Sequence, residues 1–342
     1  MSSLGFGLIG YGAWGRFHAR AIQQNAGAEL RAVCAASEAS RQAAATETGA
    51  EVYAEYSELL ARPDIDVVDI VAPNYLHEEI AIAAFQSGKH VLLEKPMATS
   101  VAACDRIIEA ARQAGKLLLV GHEMRFSGMY GRIKQLIDEG FIGEPRYVLA
   151  DLWRRPYRSG SNGWRLDKER VGNWTLEEPV HYFDIACWYL SASGEPSNVI
   201  AYGNQSDPAA EHDPDRCDNF TAVVTYPNRA YAVISQSLAA VQHHFSLKVF
   251  GTSGVIRSEW HAELDRSEKP GYSLEVSHEG GLRTIEVGST PGELFELRQE
   301  IEAMVAAVRD GAPLPITPEE ARRAIFLCLS ARESLAKGAA ES

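Results

Sequence analysis

The stretch FGLIGYGAWG, residues 6–15, decides the fold. Phe6 to Ile9 has the length and apolar character of a buried strand. It runs directly into Gly10-Tyr11-Gly12-Ala13-Trp14-Gly15, which opens a helical pattern over residues 14–25. Each glycine has a mechanical reason in that setting: Gly10 permits a tight turn, Gly12 lets the backbone approach a pyrophosphate, and Gly15 lets helix and strand pack closely. The helix start at Ala13 and Trp14 supplies free N–H groups and partial positive charge for phosphates. A glycine turn without a ligand is the alternative. A position straight after the first strand of a βαβ unit favours the dinucleotide.

Outward from this stretch, Leu30–Ala35, Val67–Val71, His90–Leu93 and Leu117–Val120 are strand-length and rich in Val, Ile and Leu, with helical patterns near 38–48, 76–87 and 101–114 between them. Ser100 suits the N-cap of the last helix, and Gly115 closes it. Continuously apolar strands alternating with helices predict a doubly wound parallel sheet covered on both faces, with right-handed crossovers. The rhythm changes after about residue 122, which sets expected domains of 1–122 and 123–342. A helix near 128–138, a strand Arg146–Trp153 and a helix near 178–190 precede strands near 198–204, 219–226, 230–238, 245–250, 254–259, 273–277 and 283–287. Hairpin-like spacing predicts a second α/β domain with an open, mainly antiparallel sheet. Helices near 293–309 and 318–336 finish the chain, the second opened by Thr317-Pro318-Glu319-Glu320.

The 342 residues, 46% hydrophobic, are enough for two cores, and a net charge of −13 without a basic run is a poor match for a phosphate backbone, so no nucleic acid is expected. The five cysteines are scattered, odd in number and lack CxxC spacing, which predicts reduced thiols and no zinc site of the usual kind. The start MSSLGFGLIGYG has no basic n-region, and no apolar run approaches the roughly 20 residues of a membrane span. A soluble, cytoplasmic protein without membrane contact is the expectation.

Three further positions bear on chemistry. The second strand ends Val33-Cys34-Ala35-Ala36-Ser37 without the acid that usually holds an adenosine ribose, and Glu38 lies in the next turn. Ser37 with Arg41 could then receive a 2′-phosphate, a lean toward NADP that leaves NAD open; the alternative is a helix cap and a solvated side chain. In HVLLEKPMATS, residues 90–100, Glu94 and Lys95 end an apolar strand, where ligands of open parallel sheets bind. Pro96 biases Lys95 toward extended backbone, and the ammonium suits a reacting hydroxyl and its alkoxide. A salt-bridged strand cap is the alternative. From Glu177 the chain reads as an amphipathic helix with Glu177 and His181 one turn apart, so the carboxylate could orient an imidazole base. Asp184, a turn further on, extends that relay or faces solvent. No third ligand of suitable spacing stands out, so no metal is expected.

Together GYGAWG, APNYLHEEIAIAAFQSGKHVLLEKP (72–96), VGHEMRF (120–126) and the lead into Glu177 and His181 resemble the glucose–fructose oxidoreductase/inositol dehydrogenase/MocA family (Gfo/Idh/MocA) over nearly the whole chain. The resemblance implies a Rossmann domain followed by an α/β domain whose sheet forms homodimers or homotetramers. It makes Lys95 the catalytic lysine and His181 the acid/base histidine, with Glu177 where an aspartate is usual. Pro73, Asn74, His77 and Glu94 fall along the cofactor, and His122 and Arg125 line the cleft. The chain departs from the pattern at Val171-Gly172-Asn173 and at Glu178-Pro179. Trp164 or Trp174 could stack on a sugar or belong to the core. Arg154, Arg155, Arg158 and Arg165 could bind an acidic substrate or balance surface acid. The implied activity is NAD(P)-dependent hydride transfer with a secondary alcohol of a sugar, inositol or related polyol. Its rivals are a redox-neutral lyase or glycosidase holding NAD tightly, with Glu178 as second acid, and a non-catalytic dinucleotide-binding regulator.

Overall fold

The computed structural model describes residues 3–156, 161–206, 217–264 and 266–340. Its elements begin β1 (Leu4–Ile9), α1 (Ala13–Gln24), β2 (Ala28–Cys34), α2 (Glu38–Thr48), β3 (Glu51–Tyr53), α3 (Tyr56–Leu60), β4 (Val67–Ile70), α4 (His77–Gln86), β5 (His90–Glu94), α5 (Val101–Ala114) and β6 (Leu118–Gly121). There follow α6 (Gly128–Asp138), β7 (Pro145–Trp153), α7 (Lys168–Val171) and α8 (Pro179–Tyr189). Next come β8 (Asn198–Asn204), β9 (Asn219–Thr225), β10 (Tyr231–Ser237), β11 (His243–Gly251), β12 (Gly254–Ala262), β13 (Gly271–His278) and β14 (Gly281–Thr284). Helices α9 (Glu293–Asp310) and α10 (Pro318–Ala340) complete the chain. Residue contacts divide it into two units, the first made of Met1–Glu123, Ser159–Gly172 and Leu297–Ile325 and the second of the remainder.

In the first unit six parallel strands run in the order β3-β2-β1-β4-β5-β6, reversing direction of travel between β1 and β4. That is the doubly wound dinucleotide-binding order. Phe6, Leu8, Val67, Val68, Ile70, Leu92 and Leu93 are buried because strands covered on both faces need apolar side chains in both directions. Ser100 caps α5 by accepting from the Ala103 N–H at 3.2 Å, and Gly115 closes the helix at φ 61°. Three elements went unread in the sequence: β3, a three-residue edge strand, the single-turn α3 and the four-residue α7.

In the second unit eight strands lie in the order β14-β13-β12-β11-β7-β10-β9-β8. All neighbours are antiparallel except β10 and β7, which pair parallel with Tyr231 opposite Tyr147. Strands β9 and β10 alternate buried residues with more exposed ones, as a sheet with one covered face requires. Among the described residues no helix is long and apolar enough to cross a membrane.

Helix α9 carries a buried carboxyl, Glu296, whose Oε1 accepts the Gly292 N–H at 3.1 Å. Burial pushes its pKa up to about 7 against the hydrogen bonds that oppose the rise. Glu296 therefore takes up a proton on folding: its contribution is full below the unfolded value near 4.5 and is lost as pH rises through about 7. Glu296→Gln keeps the acceptor and cannot ionise. Thermal melts should show this variant matching the parent at pH 4.5 and exceeding it at pH 8, by on the order of 1–3 kcal/mol.

Candidate active site

The glycine turn fits its ligand by geometry. At Gly10, φ is 108°, and a Cβ would lie 2.3 Å from the Val71 carbonyl oxygen, so only glycine turns here. A Cβ on Gly15 would lie 2.0 Å from the Gly10 oxygen, which is how closely α1 approaches the strand end. A Cβ on Gly12 would meet nothing within 4 Å, and Gly12 caps α1 without any side-chain hydrogen bond. With no acid in its first turn either, the N-terminus of α1, at Ala13 and Trp14, offers open space and the positive end of the helix to a pyrophosphate. These residues fit a dinucleotide.

Glu94 turns inward at the end of β5. Its Oε1 accepts from the Trp14 indole N–H at 2.9 Å and lies 3.0 Å from His18 Nε2, while its Oε2 accepts the Lys95 backbone N–H at 3.1 Å. His18 Nδ1 lies 2.8 Å from Asp69 Oδ2, and all three of Glu94, His18 and Asp69 are buried. Burial opposes a charge on His18, but Asp69 and then Glu94 outweigh it and raise its pKa to about 10. Burial likewise raises Asp69 above the usual carboxylate range. For Glu94 the His18 bond overcomes the effect of burial and holds the carboxyl below that range. The sequence reading faced both Glu94 and Lys95 toward the ligand. Only Lys95 keeps partial exposure, because the Glu94 carboxylate is consumed by α1.

Other candidate residues of the first unit make the following contacts. His77 is fully buried, with Nδ1 2.8 Å from the Pro96 oxygen and Nε2 2.8 Å from the Ala72 oxygen, clamping the loops after β4 and β5. Asn74, next to Pro73 and buried, donates to the Val171 oxygen at 3.3 Å. Ser37 caps α2 by accepting from the Ser40 N–H at 3.1 Å, and Arg41 Nη1 donates to the Ala35 and Ala36 oxygens, both at 2.8 Å. Arg41 is thus held at the carboxyl end of β2 rather than left in solvent. His122 follows β6 and is fully buried. The Arg165 guanidinium lies 5.1 Å from the Trp164 ring centre, a cation–π contact.

In the second unit the expectation of an amphipathic helix from Glu177 is corrected. Helix α8 begins at Pro179, and Glu177 closes a preceding turn over Trp174–Leu176. Nearly every residue of α8 is buried, so the helix has no solvated polar face, and Glu177 lies just before it. Both side chains are buried. Asp184 does not face solvent: it binds Arg125 bidentately, Nε and Nη2 each 2.7 Å from a carboxylate oxygen, with the guanidinium 5.2 Å from the Trp188 ring centre. Glu178 is ion-paired with Arg154, and Arg155 donates to the Val241 oxygen at 2.7 Å. Arg158 lies outside the described residues. Trp174 is core, packed edge-on against Phe220 at 4.9 Å.

Sequence reasoning missed His18 and Asp69. The available signal was Asp69 itself, a carboxylate inside the apolar run VVDI, since a buried charge needs a partner.

A doubly wound sheet, an open glycine turn between β1 and α1 and a lysine at the carboxyl end of β5 are the features of a dinucleotide-dependent oxidoreductase. Residues 4–122 match the oxidoreductase family with an NAD-binding Rossmann fold, and residues 130–257 match the GFO/IDH/MocA C-terminal domain. The chain belongs to the Gfo/Idh/MocA family. It is 28% identical over 338 residues to the myo-inositol 2-dehydrogenase of Thermotoga maritima, covering 96% of this chain and 95% of that one. It is also 26% identical to the 2,7-anhydro-N-acetylneuraminate hydratase of Mediterraneibacter gnavus, over 75% of this chain and 67% of the other. In fold it is similar to an oxidoreductase structure from Desulfitobacterium hafniense, with a TM-score of 0.85 at 23% identity over 99% and 97% of the two chains.

Because a Cβ on Gly12 enters open space, Gly12→Ala should fold as the parent does, with an unchanged melting temperature. Its affinity for the dinucleotide, measured by fluorescence titration, should fall about tenfold, or ~1.4 kcal/mol. Gly10→Ala should instead lower the melting temperature.

Proposed function

We propose that this NAD(P)-dependent dehydrogenase oxidises a secondary alcohol of an inositol, a sugar or a related polyol. The observation that carries the proposal is the Trp14–Glu94 bond, which ties the glycine turn to the strand end bearing Lys95. The likeness to a myo-inositol 2-dehydrogenase along 96% of the chain supports the substrate class. When bound, the nicotinamide supplies the hydride acceptor. Lys95 donates a hydrogen bond to the reacting oxygen and stabilises negative charge on it. His181 takes the hydroxyl proton, and Glu177 orients the imidazole. His122, Arg125, Trp164, Arg165, Trp174 and Glu178 remain the candidates for substrate contact. Of these, Arg125, Trp174 and Glu178 also contact Asp184, Phe220 and Arg154 respectively.

Ser37 and Arg41 support NADP over NAD. Arg41 anchors one nitrogen on the Ala35 and Ala36 carbonyls just after β2, leaving a cation at the end of a strand that lacks the ribose-binding acid. The open face of the eight-stranded sheet, with Trp153 47% and Tyr202 73% exposed, supports assembly into a homodimer or homotetramer through that sheet. Five buried thiols agree with a reducing, cytoplasmic setting. The redox-neutral alternative relied on Glu178 as a second acid, and Arg154 holds that side chain in an ion pair.

Absorbance at 340 nm, with NAD and NADP tested separately against inositols, sugars and sugar acids, checks the activity. Turnover should appear with a polyol and fall at least 10³-fold in Lys95→Ala. Arg41→Ala should lower kcat/KM about tenfold with NADP and leave NAD within twofold, a difference of ~1.4 kcal/mol in transition-state stabilisation. Cleavage of a glycoside without net absorbance change would replace the dehydrogenase with the redox-neutral activity.

A further inference from the structure

The group of buried ionisable side chains behind Lys95 is more elaborate than a strand cap requires. Asp69 on β4, His18 on α1 and Glu94 on β5 form one chain of hydrogen bonds, 2.8 and 3.0 Å long. Its ends differ. At the inner end Asp69 Oδ1 accepts no hydrogen bond while fully buried, an arrangement that costs stability. At the outer end the Glu94 carboxylate meets two further donors, the Trp14 indole and the Lys95 backbone N–H. Buried ion pairs can often be replaced by apolar side chains without loss of stability, so cohesion alone gives weak grounds for this one.

We propose that Asp69 and His18 are positioning residues for Lys95, fixing the Glu94 carboxylate against the Lys95 backbone and against Trp14 of the glycine turn. This rests on the assignment of Lys95 to the reacting oxygen. With both ring nitrogens of His18 facing carboxylate oxygens, the imidazolium satisfies the two acids at once and keeps Glu94 ionised where burial alone would protonate it. An ionised Glu94 then acts as a fixed counter-charge that keeps Lys95 an ammonium. The charged and titratable groups around Glu94 are His18 from α1, Asp69 from β4, Lys95 beside it and Glu300 from α9. Glu300 Oε1 and Glu94 Oε1 lie 2.9 and 3.3 Å from the point a Gly121 Cβ would occupy. Glycine at position 121 leaves room for both carboxyl groups.

The test reads the lysine directly. The full-length protein without added cofactor is acetylated by acetic anhydride across pH 6–11, and labelling of the Lys95 peptide is followed by mass spectrometry. In Asp69→Asn, His18→Gln and Glu94→Gln the midpoint of Lys95 labelling should move to lower pH, by about tenfold in proton concentration. In steady-state assays of Asp69→Asn, the one variant that leaves the contacts of α1 with Glu94 in place, kcat should fall about tenfold while the KM for the dinucleotide stays within twofold, a split that a general loss of packing would not give. Asp69→Asn and Glu94→Gln are isosteric and keep the fold testable where His18→Gln does not. If Asp69→Asn and His18→Gln label as the parent does, while Glu94→Gln shifts, the positioning role of Asp69 and His18 is overturned. If instead Lys95→Ala keeps its activity, the assignment of Lys95 to the reaction fails, and the labelling result still decides whether the chain controls the lysine.

Discussion

A carboxylate sealed at the carboxyl end of β5 needs donors, and those of α1 meet it. Trp14 and His18 are four residues apart, so they share one face of the helix, and both point their N–H groups at Glu94. This fixes the rotation of α1 about its axis. Gly15 fixes its depth, because the helix approaches the Gly10 oxygen too closely for any Cβ. Rotation and depth together aim the N-terminus of α1, so the direction of its positive end follows from contacts made within its first two turns. Asp69, one strand over, completes the arrangement by balancing the imidazole.

Much of this unit was legible as a pattern. Continuous apolar runs gave the central strands because a parallel sheet is covered on both sides, and capping residues such as Ser100 and Gly115 marked helix ends to the residue. β3 was not legible: Glu51–Tyr53 is a short edge strand with only partial burial, too little apolar signal to stand out. The hydrogen-bond chain through His18 was illegible for a different reason. Its members are 51 and 76 residues apart in sequence, and no local spacing announces a pairing that only the sheet order creates.

Motif positions also divided in unexpected ways. In Gly88-Lys89-His90 the lysine is buried and donates to the Arg62 and Ile65 oxygens at 2.7 and 2.9 Å, while His90 accepts the Leu117 N–H at 3.1 Å. His77 grips two carbonyls in the same way. Polar residues within the family-like stretch 72–96 thus satisfy backbone groups of nearby loops, a need as strict as that of chemistry. A sequence motif alone does not separate these two causes.

The misreading of α8 has the same root. Polar residues at helical spacing, His181 and Asp184 among them, imitate an amphipathic face when read from spacing alone. In the second unit they are buried with the rest of the helix, and Asp184 is matched by Arg125, a residue 59 positions earlier. A bidentate pair of this kind holds both planar groups in one geometry, and the Trp188 ring covers the cation. Packing on all sides leaves the helix little freedom to rotate. His181 is therefore presented by a helix packed on nearly all sides rather than by a solvated face, which fixes its position more tightly than a surface helix would.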